Sequence, residues 1–408
     1  MTFLNGGFCK APDQLGSKVL VICATVFCLS VSAFSKDWAH YRGPGYDGIV
    51  KDGSVNPDNF KEVWKAAVGI GFSSIIVVDG FAYTMGHEND LDQVIALDIT
   101  NGAIVWKHTY AAKLDPNLYE GGPNATPTYD EGKVFTLSRE GHIFCLDAKT
   151  GKVIWSDHAK NYSEAPTWGY SGAATVLGDM VLFNIGTHGL ALNKTSGKVI
   201  WKSKKGKAGY APAIPFKRKG KEVLAMFTGT GLAVVEAASG TAIWNFPWET
   251  SYDVNAAAPI IFDDKIFITS GYRRGGAVVA FNGDSPEKIW ENDNMKAQFN
   301  SPVLHEGFIY GISGDANRRC KLVCLDPATG EVKWEENSKF GSVLLAGNQL
   351  IVLDERGKLS LVSAKPDGYE LLAEKEVLSS RSWTVPTLVN GLLYLRDAQG
   401  TVLCLDVK

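Results

Sequence analysis

The stretch "GHIFCLDAKTGKVIW" (141–155) returns as "KLVCLDPATGEVKW" (321–334) and begins once more in "GTVLCLDVK" (400–408). In the two full copies an apolar run ends in Leu-Asp, a Thr-Gly turn follows, and a Trp stands eight residues after the Asp. The third copy reaches Asp406 and then has only Val407 and Lys408. Its Trp must be supplied from another part of the chain.

Working outward, Trp64, Trp106, Trp155, Trp201, Trp244, Trp290 and Trp334 recur at intervals of 42, 49, 46, 43, 46 and 44 residues. A fixed period of this size marks an array of supersecondary repeats. Between the tryptophans, Pro127, Pro259, Pro302 and Pro386 each stand five residues before Gly132, Asp264, Gly307 or Gly391, and an aromatic follows three later. That pattern reads as strand, tight turn, strand. Each period holds four short segments rich in Val, Ile, Phe and Tyr, with no helical periodicity. The spacing predicts an all-β chain, an eight-bladed β-propeller of four-stranded blades. The blades should begin near Gly71, Asn124, Gly172, Ala211, Asn255, Asn300, Gly341 and Thr384. Blade seven has Leu372 where a Trp would fall. "NFKEVW" (59–64) is a fourth strand without the first three, so Trp64 is expected to close the last blade and leave no free edge.

The repeated residues have plain structural readings. Each Trp is expected to pack between neighbouring blades with its indole N–H satisfied locally. Asp98, Asp147, Asp326 and Asp406 are expected to accept hydrogen bonds from the backbone of the turn that follows.

Composition narrows the class. The chain has 408 residues, 45% apolar and 21% charged, with a net charge of −3. It can bury a large core, and it carries no basic stripe of the kind nucleic acid requires. Lys18 precedes the apolar run "VLVICATVFCLSVSA" (19–33), which reads as a secretory signal removed after about Ala33. The run is shorter than the ~20 residues of a spanning helix. The organisation expected is a signal peptide at 1–33, an extension at 34–58 and one propeller at 59–408. The mature protein should be a monomer of the periplasm or cell envelope without a transmembrane span. Cys145, Cys324 and Cys404 share one repeat position, and Cys320 lies four residues before Cys324. Four residues along a strand is about 13 Å, too far for a disulfide, so four free thiols are expected.

The Leu-Asp-x-x-Thr-Gly-x-x-x-Trp element resembles the tryptophan-docking repeat of the pyrroloquinoline quinone (PQQ) repeat family. That family includes quinoprotein alcohol dehydrogenases and the propeller lipoprotein of outer-membrane assembly. "DWAHYRGPGYDGI" (37–49), "WGYSGAA" (168–174), "TSYDVNAAAP" (250–259) and "SWTVPTLVNGLLYLRD" (382–397) resemble an exported bacterial subgroup of it.

In a propeller, the link from the outer strand of one blade to the inner strand of the next crosses one face of the central channel. Those links are polar and aromatic here. They should bring Glu120, Asn124, Trp168, Tyr170, Tyr210, Tyr252, Asp253, Asn255, Gln298, Asn300, Arg381 and Trp383 toward one mouth. If the resemblance extends to dehydrogenase chemistry, Glu120 and Asn255 are the candidate ligands of a PQQ-bound Ca²⁺, and Asp253 is the candidate base. The sequence departs from that pattern: it has no adjacent cysteines, no long blade insertions and no Cys-x-x-Cys-His. The expectation is therefore a non-catalytic binding or interaction scaffold of the envelope, taking a protein partner or a small ligand. A PQQ- and Ca²⁺-dependent dehydrogenase of alcohols or sugars is the alternative, and a small-ligand or glycan binder at the channel mouth is the second.

Overall fold

The computed structural model describes residues 37–408, so the signal stretch read at 1–33 lies outside the described residues. Eight antiparallel sheets follow one another in chain order. We number the blades from the first complete one: 76–111, 128–158, 175–202, 214–247, 260–292, 303–338, 341–376, and 387–406 for blade 8. The sheet order of blade 8 places Lys61–Ala67 outside Thr401–Asp406, with Trp64 opposite Cys404. The N-terminal strand supplies the absent Trp, as its spacing predicts.

The repeat motif has a mechanical reading. In every blade the outer strand bulges immediately before the Trp position, for instance between Val153 and Trp155 opposite Leu146 and Cys145. The skipped residue (Val105, Ile154, Ile200) faces outward, and the Trp turns inward against the next blade. There the indole N–H of six of the seven donates to a turn carbonyl, for instance Trp64 to Ile99 at 2.7 Å, Trp106 to Ala148 at 2.9 Å and Trp155 to Lys194 at 3.0 Å. The buried Trp244 N–H has no partner among the described residues, against the expectation that each is satisfied locally. The indole of Trp106 lies flat on Gly151, whose φ is +69° and where a Cβ would come within 2.5 Å of the ring. Glycine follows threonine in the motif for both reasons. The aspartates behave as expected: Asp147 Oδ1 accepts from the Thr150 amide at 2.9 Å and Asp98 Oδ1 from the Thr100 amide at 2.8 Å.

Blade 7 requires a correction. Its bulge falls between Leu371 and Ala373, with Ala373 opposite Leu361, so the Trp position is Ala373 and not Leu372. Leu372 is the skipped, outward-facing residue. In blades 1 to 4 and 6 a glycine stands four residues after the Asp position and the Trp four later, whereas the blade 7 turn from Ser363 to Ala373 is two residues longer, so the spacing does not carry over. The four cysteines of the described chain are free and buried, and burial pushes the thiols of Cys145, Cys320 and Cys404 up to about 12.

A seam of buried apolar residues around Trp64 joins blades 7, 8 and 1. Arg396 of blade 8 is fully buried across it. It donates to Ser73 O at 2.8 Å, Thr84 Oγ1 at 2.6 Å and Gly69 O at 3.2 Å, all on the blade 1 side. Burial lowers its guanidinium to about 9.

The residues before the closing strand are also ordered. Trp38 exchanges two backbone hydrogen bonds with Val77 of blade 1, and the Ala39 carbonyl accepts from Tyr129 of blade 2. Tyr46 Oη accepts from the Val176 amide of blade 3 and packs against Ala211 and Ile214 of blade 4. Arg42, fully buried, donates to the carbonyls of Ser301, Pro302 and Asp47. Ile49–Val50 adds a parallel fifth strand on the inner edge of blade 7. Apart from Ser301 and Pro302, which lie just before the blade 6 inner strand and are reached by the long Arg42 side chain, these backbone partners are on the inner strands, toward the ends where those strands turn back. Residues 38–50 therefore fill one end of the central channel.

Candidate functional site

At the other end the links and the hairpins between second and third strands enclose a cavity of about 400 Å³. Its wall has two unlike arcs. One is a chain of aromatic rings, Phe299, Trp383, Phe72, Tyr119 and Trp168, with successive centroids 5.2, 5.1, 5.5 and 6.1 Å apart. These rings sit on the links into blades 6, 8, 1, 2 and 3. Each is half-buried, with one edge on its neighbour and the other toward the cavity.

The opposite arc is polar and comes from blades 4 to 6. Gln298 is held at both ends: Nε2 donates to Tyr272 Oη at 2.9 Å and Oε1 accepts from the Ala316 amide at 2.8 Å. Asp315 Oδ1 accepts from the Tyr272 amide at 2.8 Å. Tyr210 Oη accepts from the Trp168 amide at 3.2 Å and joins the two arcs; burial raises this phenol to about 12, so it stays a neutral donor. Arg318 and Asn317 stand at the rim. Deeper in, Ser74 and Thr126 line the wall and Tyr41 lines the cavity from the segment that fills the far end. The channel is a blind cup.

Of the residues singled out from sequence, Asn124, Trp168, Tyr210, Gln298 and Trp383 line this cavity. The others are placed elsewhere. Glu120 and Arg381 pair with each other at 3.1 Å, and the Arg381 guanidinium lies 4.6 Å over the Trp383 ring. Asp253 pairs with Lys207 at 2.8 Å. Tyr252 is 60% exposed, edge-on to Tyr272. Tyr170 is buried between blades 2 and 3 and donates to Ser163 O at 2.9 Å. Asn300 donates to Ile312 O at 2.8 Å.

Asn255 is the clearest departure. It is fully buried, its Nδ2 donates to Thr228 O at 2.8 Å and Trp248 O at 3.0 Å, and its Oδ1 accepts from Ser270 at 2.9 Å and Thr250 at 3.2 Å. All four of its hydrogen-bonding positions are used within the fold. That bears on the calcium-held quinone implied by resemblance. Such a site needs several oxygen ligands converging on one point. Glu120 is committed to Arg381, Asn255 is spent, and among the described residues Asp315 is the only carboxylate on the cavity wall. Among the described residues, no three His, Cys, Asp or Glu side chains are grouped so that they could hold a metal ion. The residues present do not fit the PQQ–Ca²⁺ group.

Sequence reasoning missed Tyr41, Phe72, Tyr119, Tyr272, Phe299, Asp315 and Arg318. Tyr119 and Phe299 lie within polar-aromatic links and differ from the chosen residues only in neighbours. Tyr272 and Asp315–Arg318 belong to the hairpins "GYRRGG" and "GDANRRC", whose length and polarity set them apart from the tight turns of other blades.

Comparison with known proteins adds the following. A family model described as outer membrane protein assembly factor BamB (PQQ_2) matches residues 47–203 and 90–336. The chain is 26% identical over 301 residues to the outer membrane protein assembly factor BamB of Yersinia pestis, covering 67% of this chain and 72% of that one. It is 26% identical over 252 residues to the quinohemoprotein alcohol dehydrogenase ADH-IIG of Pseudomonas putida, spanning only 31% of that enzyme's length. The crystal structure of BamB from Moraxella catarrhalis superposes with a TM-score of 0.64 at 16% identity, covering 86% of this chain and 98% of the other. That likeness is one of fold. No helix of the described residues is long and apolar enough to cross a membrane.

Proposed function

We propose, on the premise that this chain belongs to the PQQ_2 family described as outer membrane protein assembly factor BamB, that it is a non-catalytic binding propeller of the bacterial cell envelope. Its working surface is the blind cup. The observation that carries the reading is the pairing of an aromatic arc with a fixed polar arc around a cavity of about 400 Å³. That is the form of a ligand site, largely apolar with a few placed polar groups and a volume in the ~300–1,000 Å³ range. The donor set argues against the dehydrogenase relatives as guides to activity, because the carboxylate and amide oxygens of the wall are either spent on the fold or too few. Envelope placement rests on the signal-type stretch 18–33.

The test is ligand binding read by the tryptophans of the wall. Trp168→Ala should retain the melting temperature within a few degrees, because the ring is half-buried on Tyr119. It should lose most of the binding of any compound whose addition quenches or shifts tryptophan emission in the parent protein. Incubation with PQQ and Ca²⁺ followed by dye reduction with alcohols or aldoses should give no turnover above the free cofactor. Turnover that disappears in Asp253→Ala would refute the non-catalytic reading.

A second reading, docking of a protein partner, has one observation in its favour. The bulged outer strands of blades 1 to 3 each expose two adjacent branched residues, Ile104 and Val105, Val153 and Ile154, Val199 and Ile200, each 42–47% exposed. Charged substitution of these pairs would abolish partner capture on that reading and leave cup binding unchanged.

A further inference from the structure

The chemistry of the cup narrows what it takes, and this step rests on the binding reading above. Charge comes first. Around the mouth three ion pairs hold opposite charges together: Arg381 with Glu120 at 3.1 Å, Arg139 with Asp115 at 2.5 Å, Lys207 with Asp253 at 2.8 Å. On the lining itself Asp315 and Arg318 add one of each sign. A site built for a phosphate, a carboxylate-rich quinone or an ammonium group would carry an excess of the complementary sign. The lining is balanced, which selects a neutral ligand.

The two arcs come next. The aromatic arc offers flat C–H-binding faces and no hydrogen-bonding capacity apart from its Trp and Tyr edges. The polar arc offers an amide fixed at both ends (Gln298), a carboxylate, a guanidinium, Asn317, and Asn124 near the junction. A ligand matching both has an apolar face on one side and a fringe of hydroxyls on the other. A pyranose ring is built that way, with axial C–H bonds on a face and hydroxyls around the edge.

The floor decides how much of a chain can enter. Tyr41, anchored by the hydrogen bonds of residues 38–50 to blades 1, 2, 3 and 6, bars passage through the channel. A polymer therefore enters by one end. The deep wall offers the uncharged hydroxyls of Ser74 and Thr126, both buried. A peptide terminus would bring an ammonium or carboxylate to that depth without a counter-charge, at a large desolvation cost. A saccharide end brings only hydroxyls. We infer that the cup receives the uncharged end of a saccharide chain, its ring faces on the Trp383–Phe72–Tyr119–Trp168 arc and its hydroxyls on Gln298 and Asp315.

Calorimetric titration of the purified protein with neutral malto-, cello- and chito-oligosaccharides, from monosaccharide to hexasaccharide, tests this. One series should bind, with affinity rising over the first units and then level once the cup is full. That affinity should be the same at low and high salt, since no net charge is involved. Trp168→Ala and Gln298→Ala, each checked for an unchanged circular dichroism spectrum and melt, should weaken it about 30-fold, the loss typical of a central anchor. Affinity that keeps climbing to the longest chain, or that is untouched by both variants, would overturn the inference. So would failure of all three series while an uncharged hydrophobic peptide binds and is lost in Trp168→Ala; that outcome would leave the cup-binding reading standing. Failure of saccharides, peptide and the solvatochromic dye ANS alike to respond to Trp168→Ala would overturn both.

Discussion

The two ends of the central channel are built from the same eight inner strands and finished in opposite ways. At the end where the strands turn back, residues 38–50 occupy the space. Trp38 and Ala39 bond the strand backbones, and Arg42 donates to three main-chain carbonyls. At the link end no segment of the described chain enters. The polar groups there are held by one another and face the cavity, with Gln298 fixed between Tyr272 and Ala316. A propeller leaves a channel by geometry. Whether an end of it is core or site depends on whether the chain itself provides the occupant.

That contrast can be broken at its anchor. Trp64→Ala removes the ring that lies on Gly102 and bonds Ile99, opening the blade 8–blade 1 seam through which the N-terminal segment is held. The expected loss is about 3–5 kcal/mol. Thermal melting and light scattering should show a strongly destabilised, aggregating product, since an opened ring exposes strand edges.

Next in size is Arg42→Met, which keeps the volume and strands the carbonyls of Ser301, Pro302 and Asp47. The cost should be on the order of 3 kcal/mol, from buried acceptors left without donors. Denaturant unfolding would measure it. Any binding to the cup should weaken in parallel, because Tyr41 shares the segment.

Acid should act on the filled end selectively. His40 stacks on Tyr46 with ring centroids 4.9 Å apart. Burial holds its imidazole below the ordinary histidine value, and Asp130 opposes the shift more weakly. For a base depressed in the folded state, the unfolded chain takes up the proton first. Its contribution is therefore complete above about pH 6.5 and is lost as pH falls through that value. Asp47, whose carboxyl is raised by burial, works in the opposite direction nearer the carboxylate range. Protection factors of the hydrogen-bonded amides in residues 38–50, which divide out the intrinsic pH dependence of amide exchange, should fall between about pH 7.5 and 5.5, and His40→Phe should flatten that dependence. Among the described residues no histidine lines the cup, so its links should not follow.

The smallest effect is expected at the rim. Asp253→Ala breaks an ion pair whose Lys207 side chain is 62% exposed, and pairs of that kind are worth about 0–1 kcal/mol. Neither melting temperature nor cup binding should move measurably.

How much of this the sequence carries follows from which features repeat. The Trp spacing, the Thr-Gly turn and the Asp cap are local, periodic devices, so blade number, closure by residues 59–64 and the roles of Trp and Asp could all be read before any coordinates. Where the device is missing the reading slips, and in blade 7 the longer turn moved the Trp position from Ala373 to Leu372. The filled end was not legible. Its order comes from single hydrogen bonds to strands far away in sequence, and nothing in "DWAHYRGPGYDGI" repeats. The cup was partly legible, because the links announce themselves by polarity. Asn255 and Tyr170 share that polarity, yet they spend it on their own blades. Tyr272 and Asp315 reach the cup from hairpins that a search along the links does not visit.

Amide hydrogen exchange of the free protein tests the central claim most directly, since the two ends should differ before any ligand is added. The hydrogen-bonded amides of Trp38, Tyr46 and Gly48, together with Tyr129, Val176 and Leu345 that face the segment, should exchange as slowly as the blade cores. The link at 117–124 and the hairpin at 315–319 should exchange orders of magnitude faster. Trp38, Tyr46 and Gly48 exchanging at the rate of those loops would mean that the channel is open at both ends, and the account of a blind cup would be wrong.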